Sequence, residues 1–183
     1  RIGGWIDKAI QEGAEVLVYT ATKTEFIRHV EHNQIADLIL ESLRNRGGWG
    51  VSPAEVASWR NSLQYMRTVV DDEHIPDDAG VALEFTIPQT SKRIDFVLTG
   101  QGPAPRKRET VVIVELKQWT TATATEKDGI VATFVGGGVR DVPHPSYQAW
   151  SYAATLQDYN ETVQEDDIDL RPCAYLHNSD SVD

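Results

Sequence analysis

Glu115-Leu116-Lys117 closes the strongest strand signal in this chain of 183 residues. Val111, Val112, Ile113 and Val114 form an unbroken β-branched run, the mark of a central strand covered on both faces. Side chains alternate along a strand, so Glu115 and Lys117 point to one side and Leu116 to the other. A carboxylate and an ammonium at the end of a buried strand are costly unless each has a partner. They can partner each other as a structural ion pair. The functional alternative is a divalent metal for the acid and a phosphate for the lysine.

Asp95 stands in a second strand signal, Lys92 to Thr99, where Ile94, Phe96 and Leu98 share one face and Arg93, Asp95 and Val97 the other. Asp is disfavoured inside apolar strands, so its presence there asks for a reason. Val81 to Ile87 reads as the preceding strand and Pro88-Gln89-Thr90-Ser91 as the turn between the two. Further along, His144-Pro145-Ser146-Tyr147 leads into a helical stretch from Gln148 to Tyr159, with Ser146 as the candidate N-cap. Gln148 and Tyr152 are four apart and share a helix face.

Asp95, then Glu115-x-Lys117 about twenty residues on, on neighbouring strands, resembles the PD-(D/E)XK nucleases. Gln148-x-x-x-Tyr152 resembles the motif that follows in their RecB-like branch. The resemblance implies an α/β, restriction-endonuclease-like αβββαβ core with a mixed central sheet flanked by helices. It also implies a cation, Mg²⁺ or Mn²⁺, held by Asp95, Glu115 and the carbonyl of Leu116. Lys117 would orient the attacking water or offset charge on the phosphate, and Gln148 and Tyr152 would steady the strand or lysine or contact nucleic acid.

Longer blocks extend the likeness over about residues 17 to 180. They are Thr20-Ala-Thr-Lys-Thr-Glu-Phe, Ser58-Trp-Arg-Asn-Ser-Leu-Gln-Tyr-Met, Ile75-Pro-Asp-Asp-Ala-Gly-Val, Thr90-Ser-Lys-Arg-Ile-Asp-Phe and Arg171-Pro-Cys-Ala-Tyr-Leu-His-Asn. Together they are similar to the amino-terminal region of a prokaryotic family of predicted helicases, in which a superfamily 1 helicase core follows. No Gly-x-x-x-x-Gly-Lys-Ser/Thr occurs here, so the expected arrangement is an extension over 1–16, a nuclease-like domain over 17–179 and the start of a linker over 180–183, with the helicase domain as the expected partner. DNA is the favoured substrate on that association, which is an analogy.

Other residues could join the site. Glu84, on the first strand of the hairpin, could be a further metal ligand or a solvent-facing charge. Lys92, Arg93 and His144 are candidate phosphate contacts, and His144 could equally cap a turn. The first helix could contribute Glu31, Gln34 or Asp37, of which Gln34 and Asp37 are spaced to face one site together.

The net charge of −11 argues against a tight phosphate grip. Acid runs at Asp71–Glu73, Asp77–Asp78, Glu161 to Asp169 and Asp180 to Asp183 read as solvated loops or linker, whereas Lys92-Arg93 and Arg106-Lys107-Arg108 flank the two key strands. Five His and one Cys show no zinc spacing, and the apolar setting of Cys173 predicts burial. A single cysteine, no signal-peptide pattern and no membrane-span run lead to an expected cytoplasmic domain; nothing specifies an oligomeric state.

The elements that must position these residues follow from periodicity. Trp5, Ile6, Ala9 and Ile10 suggest a short amphipathic segment that packs on the domain or on a partner. Thr24 to Arg44 reads as one helix ending at Gly47-Gly48. Ser52-Pro53-Ala54-Glu55 is a capping box opening a helix to about Val70, an insertion whose Trp59, Leu63, Met66 and Val70 form a core stripe. Ile130–Val135 and Val139–Val142 flank Gly136-Gly137-Gly138 as an extra hairpin, and Leu170 to His177 makes the last strand. The rival to a nuclease is a catalytically inactive module of the same fold that binds or docks nucleic acid; RNA cleavage by the same groups is a further alternative.

Overall fold

The computed structural model describes residues 4–11, 18–45, 50–88, 90–102 and 108–179. The side chains of Ala9 and Ile10, and the residues Gly47-Gly48, Gln89, Arg106-Lys107 and Asp180–Asp183, lie outside them.

In chain order the elements are α1 (Gly4–Gln11), β1 (Tyr19–Thr22), α2 (Lys23–Glu31), α3 (Ile35–Asn45), α4 (Pro53–Val70), β2 (Gly80–Thr86), β3 (Arg93–Gln101) and β4 (Glu109–Lys117). There follow β5 (Thr123–Ala124), β6 (Ile130–Val135), β7 (Gly138–Pro143), α5 (Pro145–Tyr159), α6 (Glu161–Glu165) and β8 (Asp169–Leu176). The five-stranded sheet has the order β1-β2-β3-β4-β8, antiparallel except for the parallel β4–β8 pair. A parallel neighbour needs a crossover, and α5 with α6 supplies it. The protein is therefore a mixed α/β fold.

Two apolar cores sandwich the sheet. One contains Trp5, Ile6, Phe85, Ile94, Val97, Ile113, Tyr152 and Leu156, joining α1 and α5 to the sheet. The other contains Phe26, Ile39, Trp59, Leu63, Val81, Leu83, Phe96 and Val114, joining α2, α3 and α4 to the opposite face. The β-branched run of β4 divides between them: Val111 and Ile113 enter the first and Val114 the second, as strand alternation requires. Trp5 and Ile6 are fully enclosed, with the Trp5 ring 5.0 Å from that of Phe85, so α1 packs on the domain.

Several sequence expectations need correction. The long first helix is two, because Asn33 adopts φ 55° between α2 and α3 and ends the regular winding. β1 was not anticipated; four residues carry too little alternation to reveal a strand that exists by pairing with β2. β4 is an interior strand, as its β-branched run predicts, but the middle position of the five belongs to β3. Cys173 is exposed, because β8 is that edge. The Glu161–Asp169 run is not solvated loop throughout: Thr162, Val163 and Ile168 are buried. Ser52 accepts the N–H of Glu55, but the Glu55 carboxylate turns away to Arg93.

The hairpin around the glycines is present, and its turn needs them: Gly136 and Gly137 have φ 58° and 84°. β5 joins it to make a second, three-stranded sheet. No helix among the described residues is long and apolar enough to cross a membrane.

Candidate active site

The β3–β4 ladder stops at Phe96–Val114. Continuing that register would set Asp95 opposite Glu115, but the strands part there. Instead the Asp95 carboxylate reaches across the gap and its Oδ2 accepts the backbone N–H of Leu116 at 2.9 Å. Two acids that the sequence separates by twenty positions are thus brought to one end of the sheet. Each feels the other: the charge of Asp95 is among the influences that raise Glu115.

Glu115 is 2 % exposed, beside the α5 core. Its Oε1 lies 2.5 Å from Lys117 Nζ, while Oε2 is buried with no hydrogen-bond partner. Burial pushes its carboxyl up to about 7, helped by Asp95 and opposed by Lys117. Burial also raises Asp95, against the pull of the Leu116 N–H, Lys117 and Arg93. From α5, Gln148 Nε2 donates to the Tyr152 hydroxyl at 2.7 Å, and the charges of Glu115 and Asp95 reach that hydroxyl. The Gln-x-x-x-Tyr pair therefore belongs to the same locality.

On the α4 side a cleft of about 200 Å³ opens, lined among others by Glu55, Trp59, Glu84, Arg93, Asp95 and Lys117. Glu84 has φ 55°, a left-handed conformation rare for a non-glycine residue and rarer inside a strand. This turn disrupts the alternation. Leu83 and Phe96 enter the α4-side core, whereas Phe85 and Ile94 enter the α5-side core. The expectation that Ile94 shares a face with Phe96 and Leu98 is corrected accordingly. Glu84 is left on the α4 side, where its Oε1 accepts the Trp59 indole N–H at 2.8 Å and Arg93 Nε lies 2.6 Å from Oε2. Burial pushes the Glu84 carboxyl up to about 7, against Arg93.

The other predicted contributors sit elsewhere or are already engaged. Gln34 is exposed at the break between helices, and Asp37 is 74 % exposed, 3.8 Å from Arg60. Glu31 pairs with Arg67. The first helix therefore does not supply the site through these residues; α4 lines the cleft instead, through Glu55 and Trp59, whose sequence signals are those of a cap and a core residue. His144 is the cap of α5, its Nδ1 accepting the Ser146 N–H at 3.1 Å, so Ser146 is not the N-cap. Lys92 reaches Thr155 at 3.4 Å. Arg93 is held by Glu84 and Glu55, not free for phosphate. Arg108 pairs with Asp167 at the far end of β4, roughly 23 Å from Glu115 at about 3.3 Å per residue, so it does not flank the site.

The unpartnered Oε2 of Glu115, near the half-buried carboxylate of Asp95, is the feature that fits a hard divalent cation, whose ligands are oxygens. Among the described residues no three His, Cys, Asp or Glu side chains are grouped to hold a metal ion, so Glu84 does not complete a three-acid set. Asp95 and Glu115 are the two acids available, with Lys117 alongside. Compared with models of protein families, with curated proteins and with solved structures, the chain matches none.

Proposed function

We propose that the protein is a metal-dependent nuclease domain of PD-(D/E)XK type, hydrolysing phosphodiester bonds. The observation that carries this reading is the parting of β3 and β4 at Phe96–Val114, which gathers Asp95, Glu115 and Lys117 at one sheet end beside Gln148 and Tyr152. Asp95 and Glu115 would hold Mg²⁺ or Mn²⁺; the ion would polarise the phosphate and lower the pKa of bound water. Lys117, 21 % exposed at its side chain, would turn from Glu115 toward a phosphate oxygen. Gln148 and Tyr152, joined by a hydrogen bond, would steady the site from the α5 side. DNA as polymer, a helicase domain as partner and a cytoplasmic setting accompany the proposal by analogy with the resembled family.

One observation favours a second reading, an inactive docking module of the same fold. The Glu115–Lys117 pair is closed, each charge answering the other. The deciding experiment incubates the protein with labelled single- and double-stranded DNA and RNA in Mg²⁺, Mn²⁺ or EDTA, alongside Asp95→Ala. Cleavage that needs metal and vanishes in the variant supports the nuclease. Binding without cleavage under every condition supports the docking module, and equal cleavage by the variant removes the proposed site from consideration.

A further inference from the structure

Arg93 stands in the α4-side cleft among acids. Its Nε lies 2.6 Å from Oε2 of Glu84 and its Nη2 3.2 Å from Oε1 of Glu55, while Asp95 lines the same cleft. Oε2 of Glu84 accepts no aligned hydrogen bond, so the guanidinium holds it by charge. Glu84 is 5 % exposed and fixed by the Trp59 indole N–H. It reaches this place only through a left-handed backbone at φ 55°, a conformation that costs on the order of 1–3 kcal/mol and persists where surrounding structure enforces it.

In two-metal phosphoryl-transfer sites a second divalent ion lies about 3.5–4 Å from the first and shares the clamp on the attacking and leaving oxygens. Here the space between Glu84 and Glu55 is filled by an organic cation of the chain itself. We propose that Arg93 is that built-in cation: its guanidinium takes the position a second ion would hold between Glu84 and Glu55, so that only one ion exchanges, at Asp95 and Glu115. The inference rests on the metal-dependent reading for its meaning, but its test does not. Arg93 is a positioning residue here, keeping the Glu84 and Glu55 carboxylates neutralised beside Asp95.

The test is Mn²⁺ titration by calorimetry, with melting curves, on the whole chain and on Arg93→Ala, Arg93→Gln and the double variant Arg93→Ala, Glu84→Gln. Arg93→Ala and Arg93→Gln should each bind one more Mn²⁺ per chain than the wild type, and the double variant should lose that extra ion. Their melting temperatures should fall in EDTA and recover with Mn²⁺ by more than the wild type gains. A variant that unfolds in EDTA and refolds in millimolar Mn²⁺ would count in favour. Folded variants with no additional ion, variants that stay unfolded at millimolar Mn²⁺, or a wild type whose own second Mn²⁺ disappears in Glu84→Gln would each overturn the inference. A wild type that binds no Mn²⁺ sensitive to Asp95→Asn would sink the nuclease reading instead. The gain on removing Arg93 is scored separately from that result.

Discussion

The carboxylate of Asp95 accepts the backbone N–H of Leu116 at 2.9 Å, so one acid both fastens β3 to β4 and contributes charge to the candidate site. These two duties separate under mutation. Asp95→Asn keeps a carbonyl acceptor for the Leu116 N–H and removes a half-buried charge that burial already disfavours. Its melting temperature in EDTA should equal or exceed that of the wild type. Asp95→Ala leaves the N–H unpaired, which costs about 1–3 kcal/mol. Both should abolish metal-dependent cleavage, and melting curves run beside a cleavage assay check the pair. Wild-type cleavage by Asp95→Asn would falsify the metal-ligand role.

Lys117→Ala should lower the cleavage rate on the order of 10²–10³-fold through loss of one charge contact in the transition state. Stranding the buried Glu115 carboxylate would by itself cost roughly 3–5 kcal/mol. Glu115 already sits near 7, however, and can take up a proton instead. The loss of stability should therefore be small at pH 6 and larger at pH 8.5. A folded fraction that cleaves at the wild-type rate would make Lys117 an ion-pair partner and nothing more.

Stability in EDTA should fall as pH rises. Glu84 and Glu115 are both pushed by burial from 4.5 to about 7. The folded state thus keeps protons that the unfolded chain releases between those values. The stabilisation is complete below about pH 4.5 and is lost as pH passes 7, each group contributing at most on the order of 3 kcal/mol. The double variant Glu84→Gln, Glu115→Gln should flatten the melting temperature between pH 5 and 8. Added Mn²⁺ should stabilise the wild type more at pH 8 than at pH 6, because it binds the ionised acid. A wild-type profile already flat in EDTA would contradict the assignment.

Tyr152→Phe removes the acceptor of the Gln148 amide, which is only half-buried and can turn to water. Stability should change by no more than about 1 kcal/mol. Cleavage should drop roughly 10–100-fold, the usual effect of losing a group that supports metal ligands from behind. Undiminished cleavage would leave the Gln148–Tyr152 pair as a helix-surface contact without a part in the chemistry.

Local chemistry in the sequence was enough to determine β4, α4 and the glycine hairpin. Four consecutive β-branched residues can be buried on both faces in few other ways, a Ser-Pro cap opens a helix wherever it stands, and two adjacent positive-φ positions call for glycine. The pairing of the Asp95 strand with the Glu115 strand, across the residues between Gln101 and Glu109, was expected only from the resemblance to the PD-(D/E)XK nucleases. Tertiary structure alone decided the other half of the site. The expected alternation in β2 and β3 fails at Glu84, because the backbone there turns left-handed so that a buried acid can meet Trp59 from one helix and Arg93 from the next strand. No local pattern encodes that choice: in sequence, Glu84 is a candidate metal ligand or a solvent-facing charge, Glu55 an ordinary cap and Trp59 an ordinary core residue. Their roles arise when α4 lies across the sheet end, where excluding water makes each unpaired charge expensive and so selects the one arrangement in which opposite charges meet.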